Sequence, residues 1–303
     1  MRISTNSFFE NSSNRLTELQ SQISTTAEQI SSGRRSLNPS DDPVAAAQII
    51  GVNQSYGINT QLGKNITSIQ NNLGLIDTTL AGIVTNLQGM HEQIINAGNS
   101  THAASDKAGL ALNLQGYYDQ LMSFANSTDS SGNYLFAGQK TDTAPFNSDQ
   151  PVTYQGGTIQ SQIQVNSSRQ MSASVLGSEL FSNGEIFNAL QTAITALSTP
   201  STDSGPQSST QVSALSDLNS LYNKVFSAVS DAQSSIGARL TSLDALELTN
   251  DNMNLQLQQS LSILQDTDYN KAASDLVRQQ FILQAAQKTF GQIGKSSLFD
   301  YIS

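Results

Sequence analysis

The chain reads as a mainly α protein, with long helices of coiled-coil type in both arms and a small β domain inserted in the middle. Three observations predict this. Apolar residues recur at alternating steps of three and four over long stretches near both ends. A repeat of about 3.5 residues lays one apolar seam along a helix, which another helix must cover. Between residues 129 and 182 the period changes to two, the mark of strands. Cysteine is absent, which removes disulfides, zinc–thiolate sites and thiol catalysis as organising chemistry.

The first arm carries Phe9, Ser12, Leu16, Leu19, Ile23, Thr26, Ile30, Gly33 and Leu37 at seam positions. Gly33 followed by Arg34 and Arg35 suits a helix stop, with cations at the negative end of the dipole. Asn38-Pro39 breaks the chain, and Asp41-Asp42-Pro43 restarts it, Asp at or near the N-cap and Pro at the first helical position. The next seam is the cleanest: Leu62, Ile66, Ile69, Leu73, Ile76, Leu80, Ile83, Leu87, Met90, Ile94, Ala97. A third stretch runs through Leu110, Leu114, Tyr117, Leu121 and Phe124.

The insert begins with turn chemistry at Asp129-Ser-Ser-Gly-Asn133. Tyr134–Phe136, Val152–Tyr154, Ile159–Val165 and Met171–Val175 are expected as strands. Residues 186–197 read as helix, and 198–211 as a Ser/Thr/Pro-rich linker. The second arm returns with Leu215, Leu218, Tyr222, Val225, Val229, Ala232 and Ile236. Its register shifts at Leu240 and Leu243 and continues through Leu257, Leu261 and Leu264. Asp266-Thr-Asp268 punctuates the chain before a last helix through Leu276, Leu283 and Phe290.

Charged residues make up only 13% of the chain, while Ser, Thr, Asn and Gln make up roughly 40%, against a usual charged share of about a quarter. The helix flanks are therefore amide and hydroxyl faces rather than Glu/Lys faces. Such side chains suit helices whose outer faces pack further, and equally helices that face water. The net charge of −10 disfavours a nucleic-acid partner, since phosphate binding needs clustered Lys and Arg. Residues 1–35 sum to +1 and 269–303 to +2, leaving −13 for the middle. From charge alone, this pattern reads first as a solvated acidic surface with indifferent termini. No run of 18 apolar residues is present, so no membrane insertion is expected, and no Sec-type signal peptide precedes the first seam.

The nearest approach to a catalytic motif is Gly132–Thr141, which evokes a phosphate loop. Five residues rather than four separate its glycines, Gln139 intervenes before Lys140, and Tyr134, Leu135 and Phe136 fill the loop. A nucleotide site is not expected there. Asp41 with Asp42, and Asp266 with Asp268, lack the ligand spread of a calcium loop and read as helix caps. His91 and His102 straddle a helix boundary with no further ligand cluster, which suits surface or capping roles. No catalytic residue, cofactor or metal ligand is expected.

The stretch Glu28-Gln-Ile-Ser-Ser-Gly33-Arg34-Arg35-Ser-Leu37-Asn38-Pro39-Ser-Asp41-Asp42-Pro43 resembles the N-terminal signature of the bacterial flagellin superfamily. Ile236-Gly-Ala-Arg239-Leu-Thr-Ser-Leu243, Asp266-Thr-Asp268-Tyr269 and the helix from Gln279 to Phe290 are similar to that superfamily's C-terminal region. Within it, Gly132-Asn-Tyr134-Leu-Phe136-Ala-Gly138, Pro145-Phe146, Tyr154-Gln-Gly156 and the opening Met1-Arg-Ile-Ser-Thr5 resemble the hook-associated protein 3 family.

The resemblance implies that both chain ends form a long antiparallel helical coiled-coil rod lining the core of an assembly. It implies three parts: a terminal coiled coil of 1–40 plus 266–303, a helical rod of 41–128 plus 183–265, and a β insert of 129–182. The terminal pair through Leu16, Leu19, Ile23, Ile30, Leu276, Leu283 and Phe290 would serve subunit assembly. Gly33, Arg34, Asp41, Asp42, Gly132, Tyr134, Phe136 and Gly138 are the signature positions. A structural adaptor at the flagellar hook–filament junction is implied, extracellular and polymerising as a ring-like homo-oligomer; a flagellin filament subunit is the alternative. The partners implied are other copies of itself, the preceding hook-associated protein, flagellin, an export chaperone and the type III export apparatus. Basic ends of one subunit could then sit near acidic surfaces of neighbours. Thr26 and Gly33 weaken the first seam, so residues 1 to about 40 and about 266–303 are expected to order only on assembly.

Overall fold

The computed structural model describes residues 2–99, 104–199 and 208–299. His102 and most of the expected linker lie outside the described residues. The elements in chain order are α1 (Arg2–Ser32), α2 (Pro43–Ala97), α3 (Ala104–Ala125), β1 (Gln162–Asn166), β2 (Arg169–Ser172), α4 (Gly177–Leu180), α5 (Glu185–Ser198), α6 (Ser209–Gln265) and α7 (Tyr269–Phe299). The fold is mainly α, with helices from both chain ends running antiparallel and a small β insert. The chain divides into two compact units, residues 1–59 with 252–303, and residues 60–251.

The larger unit holds the core. From Ile66 to Ala97 every predicted seam residue of α2 is buried; Leu62 at its start is partly exposed. The facing seam of α6 is buried at Leu215, Leu218, Tyr222, Val225, Val229 and Ile236, and again at Leu243. The register shift leaves α6 unbroken from Ser209 to Gln265.

The α3 seam differs from the predicted one. The buried positions are Ala111, Leu114, Tyr118, Leu121 and Ala125, while Leu110, Tyr117 and Phe124 are half-buried beside them. The cause is that α3 has two neighbours. Toward α2, the Phe124 ring lies 2.9 Å from where a Cβ on Gly82 would sit, and Tyr117 fills the notch at Gly89. Toward α5, Tyr118 meets Phe187 edge-on with centroids 5.9 Å apart.

His91 also departs from expectation. It lies inside α2, half-buried, with its ring stacked on Tyr222 of α6 at 4.2 Å between centroids. Aromatic packing, not capping, accounts for it.

The insert contains fewer strands than its alternation predicts. β1 and β2 form one antiparallel hairpin, with Gln162 opposite Ser172 and Ile163 opposite Met171. Tyr134–Phe136 and Val152–Tyr154 are not strands; Tyr134, Ala137 and Tyr154 each make an isolated bridge. Their apolar side chains pack through turns around a cluster of Phe136, Phe146, Phe181 and Phe187, whose rings stand 5.3–6.2 Å apart. The hairpin is tied to the helices by amides: Asn65 of α2 donates to the Gln164 carbonyl at 2.8 Å, and Asn72 to the Ala173 carbonyl at 2.8 Å. No helix among the described residues is long and apolar enough to cross a membrane.

Candidate assembly surface

The smaller unit is built around α1 and α7, joined by a weak seam. Leu16, Leu19, Ile23 and Ile30 of α1 face Leu276, Leu283 and Phe290 of α7, and all seven are only half-buried. Phe9 meets Phe290 edge-on, centroids 5.3 Å apart. Ser12, Leu16, Leu19, Ala286 and Phe290 line an open groove of about 260 Å³ between the two helices. Of the described side chains in this unit, Thr26, Ala45 and Ala272 alone are buried. Val44, Ile50, Ile58, Leu255, Ile263, Val277 and Phe281 stand more than half exposed. The contrast with the larger unit is energetic. A fully buried Leu or Phe contributes about 1.5–3 kcal/mol, and this unit has no such residue among those described.

The two chain breaks meet each other. Gly33 ends α1 with φ of 70°, a left-handed conformation that favours glycine, and a Cβ there would lie 3.0 Å from the Tyr269 hydroxyl oxygen. Arg34 and Asp266 form an antiparallel bridge. The Arg35 N–H donates to the Gln265 carbonyl at 2.7 Å, and the Thr267 N–H to the Gly33 carbonyl at 2.9 Å. Asp41 accepts from the backbone N–H groups of Leu37 at 3.1 Å and Asn38 at 2.8 Å. Asp42 caps α2 by accepting the Ala45 N–H at 3.0 Å, and its second oxygen pairs with Arg35 at 3.2 Å. Gly33, Arg34, Asp41 and Asp42 are thus brought to one junction, where α1 and α6 end and α2 and α7 begin.

The other signature residues lie apart from it, inside the insert. Gly132 turns the chain with φ of 84°. Tyr134 donates its N–H to the Thr141 carbonyl at 2.9 Å, Phe136 is fully buried, and Gly138 has φ of 63°. Three groups crowd the place of a Gly138 Cβ: Leu176 at 2.8 Å, and the Gly157 and Ile159 carbonyl oxygens at 2.9 Å each. Gly138 serves close packing, whereas Gly132, with nothing within 4 Å, serves the left-handed turn. Tyr154, named in the sequence as a strand and motif residue, acts instead as a post: its hydroxyl lies 2.9 Å from the Gly157 carbonyl and 3.0 Å from that of Phe136. Burial, and then nearby Glu179, push its phenol up to about 12. Among the described residues no group of three or more His, Asp or Glu side chains could hold a metal ion.

The bacterial flagellin N-terminal helical region matches residues 3–141 as a family model. Flagellar hook-associated protein 3 of Escherichia coli strain K12 is 34% identical over 99% of this chain and 99% of its own length. Its namesake from Salmonella typhimurium is 35% identical, again over 99% of each chain. The crystal structure of flagellar hook-associated protein 3 from Legionella pneumophila superposes with a TM-score of 0.65 at 18% identity. It covers 71% of this chain and 98% of that one, a likeness of fold.

Proposed function

Because the chain belongs to the flagellar hook-associated protein 3 family, a family of flagellar structural proteins, we propose that it is the adaptor of the hook–filament junction. In this reading it polymerises as a ring on the preceding hook-associated protein and offers flagellin a surface on which to assemble. The observation that carries the proposal is the unfinished smaller unit. Its described buried side chains are two alanines and a threonine, while Phe281, Val277 and Ile263 face outward. A monomer in water gains nothing by exposing such a set, whereas neighbouring copies would cover it.

The reading assigns the terminal pair, 1–40 plus 266–303, to subunit contact through the Leu16–Phe290 seam. It assigns 41–128 plus 183–265 to a rod that holds the pair, and 129–182 to an outward-facing insert. Mildly basic ends and a middle of net −13 would help orient one copy on the next, with a salt dependence. Passage through a type III export apparatus with a chaperone, and an extracellular position, complete the proposal. The absence of cysteine suits a chain exported unfolded.

A deletion strain tests the reading. Cells that keep hooks but shed flagellin monomers into the medium support it, and normal filaments would sink it. If the chain instead dominates sheared appendages by mass, it is a filament subunit.

A further inference from the structure

We propose that Asn183 is a self-modification site. Its side-chain amide is lost by attack of the Gly184 nitrogen, and the turn that holds the pair withholds that nucleophile until the chain opens. Asn183–Gly184 is the one Asn–Gly step in the sequence. The site belongs to the chain itself and does not depend on the junction role.

The step sits between α4 and α5 in left-handed backbone. Ser182, Asn183 and Gly184 follow one another with φ of 48°, 55° and 97°, and the first two are the only non-glycine residues so placed among those described. Two turns overlap there. The Gly184 N–H donates to the Phe181 carbonyl at 3.0 Å, and the Glu185 N–H donates to the Ser182 carbonyl. Asparagine and glycine adopt positive φ more readily than other residues, whereas the buried Ser182 is strained.

Packing holds the strain in place. Phe181 and Phe187 flank the turn and join the aromatic cluster with centroids 5.6 Å apart. The Val152 carbonyl oxygen lies 2.7 Å from where a Cβ on Gly184 would sit. Asn188 fixes Val152 on both sides, accepting its N–H at 2.8 Å and donating to its carbonyl at 2.9 Å.

Asn183 faces solvent, while Gly184 is buried. In the reaction a bond forms from the Gly184 nitrogen to Asn183 Cγ. The Gly184 nitrogen gives its proton to solvent, and the side-chain nitrogen takes one up and leaves as ammonia. Water then opens the resulting succinimide to aspartate or isoaspartate, so water is the sole co-reactant. Glycine has no side chain to shield the attacking nitrogen, which makes this step the fastest of its kind in an unfolded chain. In the folded turn the same nitrogen is hydrogen-bonded and covered. To reach Cγ, the Asn183–Gly184 peptide must rotate, which breaks both turn bonds and drives Gly184 off Val152. Modification therefore waits on local opening.

Isoaspartate carries the main chain through Cβ and lengthens the turn by a methylene. Phe181 and Phe187 then cannot both reach their places in the cluster. Aspartate leaves the chain path unchanged at an exposed position. The site thus records the time a chain has spent open, and it penalises refolding afterwards.

The test ages full-length protein at one mildly alkaline pH and temperature, in native buffer and in guanidinium chloride. Tryptic peptide Gln170–Lys224 is then read by mass spectrometry, with Asn219 in the same peptide as the internal standard. Asn183 should be modified first in the unfolded chain, and more slowly by roughly tenfold or more in the native one. Equal rates in the two states, or an unfolded-state rate at Asn183 no higher than at Asn219, would overturn the site. Chains aged unfolded and returned to native buffer should melt below the parent in proportion to their isoaspartate, scored by enzymatic methylation. Asn183→Asp should melt close to the parent. Isoaspartate chains that regain the parent midpoint, or an Asn183→Asp variant that melts as low as they do, would overturn the effect on refolding.

Discussion

Thr26 and Gln279 form a polar pair in the seam between α1 and α7. The Thr26 hydroxyl is buried and lies 3.1 Å from Gln279 Oε1 and 2.9 Å from the Gln22 carbonyl, so it donates to one at a time. Among half-buried Leu, Ile and Phe neighbours, this pair favours one turn of α1 against one turn of α7, because a shifted register would take the Thr26 hydroxyl away from Gln279 while Thr26 keeps the Gln22 carbonyl. Thr26→Val and Gln279→Leu should each lower the dissociation midpoint of assembled particles. A double-mutant cycle should return a coupling of about 0.5–1.5 kcal/mol. A coupling of zero would remove the register role.

The seam from Leu62 to Ala97 makes a simpler claim. Leu80 is fully buried between α2 and its neighbours. Leu80→Ala leaves a cavity costing about 2–5 kcal/mol, so the thermal midpoint of the monomer should fall clearly. An unchanged midpoint would contradict the packing.

Glycines in two settings should respond with opposite sign. Gly138→Ala must hold an L side chain at φ of 63° against two carbonyl oxygens at 2.9 Å. That should destabilise the insert by on the order of 1–3 kcal/mol. Gly116→Ala lies in the middle of α3 with nothing within 4 Å. It should stabilise by up to about 1 kcal/mol. Thermal melts of both variants check the pair.

Tyr154 sets an alkaline dependence. Its phenol titrates at about 12 in the folded chain, against about 10 when unfolded. A raised value means its contribution is full below about pH 10 and is lost as pH rises through about 12. Across that window the unfolded chain sheds a proton that the folded chain keeps. Tyr154→Phe should cost about 0.5–1.5 kcal/mol at neutral pH and flatten the fall in thermal midpoint at alkaline pH. Parallel slopes for variant and parent would refute the assignment.

The helices were legible in the sequence because each long seam has one partner face. Ile66 to Ile94 and Leu215 to Ile236 repeat at heptad spacing, and they are buried at that spacing. Legibility failed where a residue serves two neighbours or none of its own period. α3 lies between α2 and α5, so its apolar arc is wide enough to hold two seams; of the predicted one, Leu114 and Leu121 are fully buried and Leu110, Tyr117 and Phe124 form the edge. Residues 134–136 and 152–154 read like strands, but they pack through turns, Phe136 on Phe181 far along the chain and Tyr154 on nearby Phe146. His91 finds Tyr222 across 131 positions, which no local pattern announces. The signature residues at 33–42 were recognisable as caps and stops. Their convergence with Asp266 and Thr267 depends on pairing the two ends, which heptads alone do not specify.

The last prediction concerns α1 and α7 before assembly. Each residue ordered costs about 1–2 kcal/mol of backbone entropy. In the larger unit, rows of fully buried Ile, Leu and Phe offset that cost. Between α1 and α7 the seven seam residues are half-buried, an open groove of about 260 Å³ runs along the pair, and among the described side chains the buried ones are Thr26 and Ala272. The pair therefore lies near zero net stability on its own, and covering Val277 and Phe281 by another copy would tip it toward order. Limited proteolysis of dilute monomer should cut within both helices and leave a helical product containing α3, the insert, α5 and most of α2 and α6. That product should no longer polymerise, and assembled particles should resist the same cuts. Amide exchange is the sharper measure. Protection in α1 and α7 of dilute monomer equal to that of residues 66–94 in α2 would show the pair to be stable alone, and assembly would then need a different trigger.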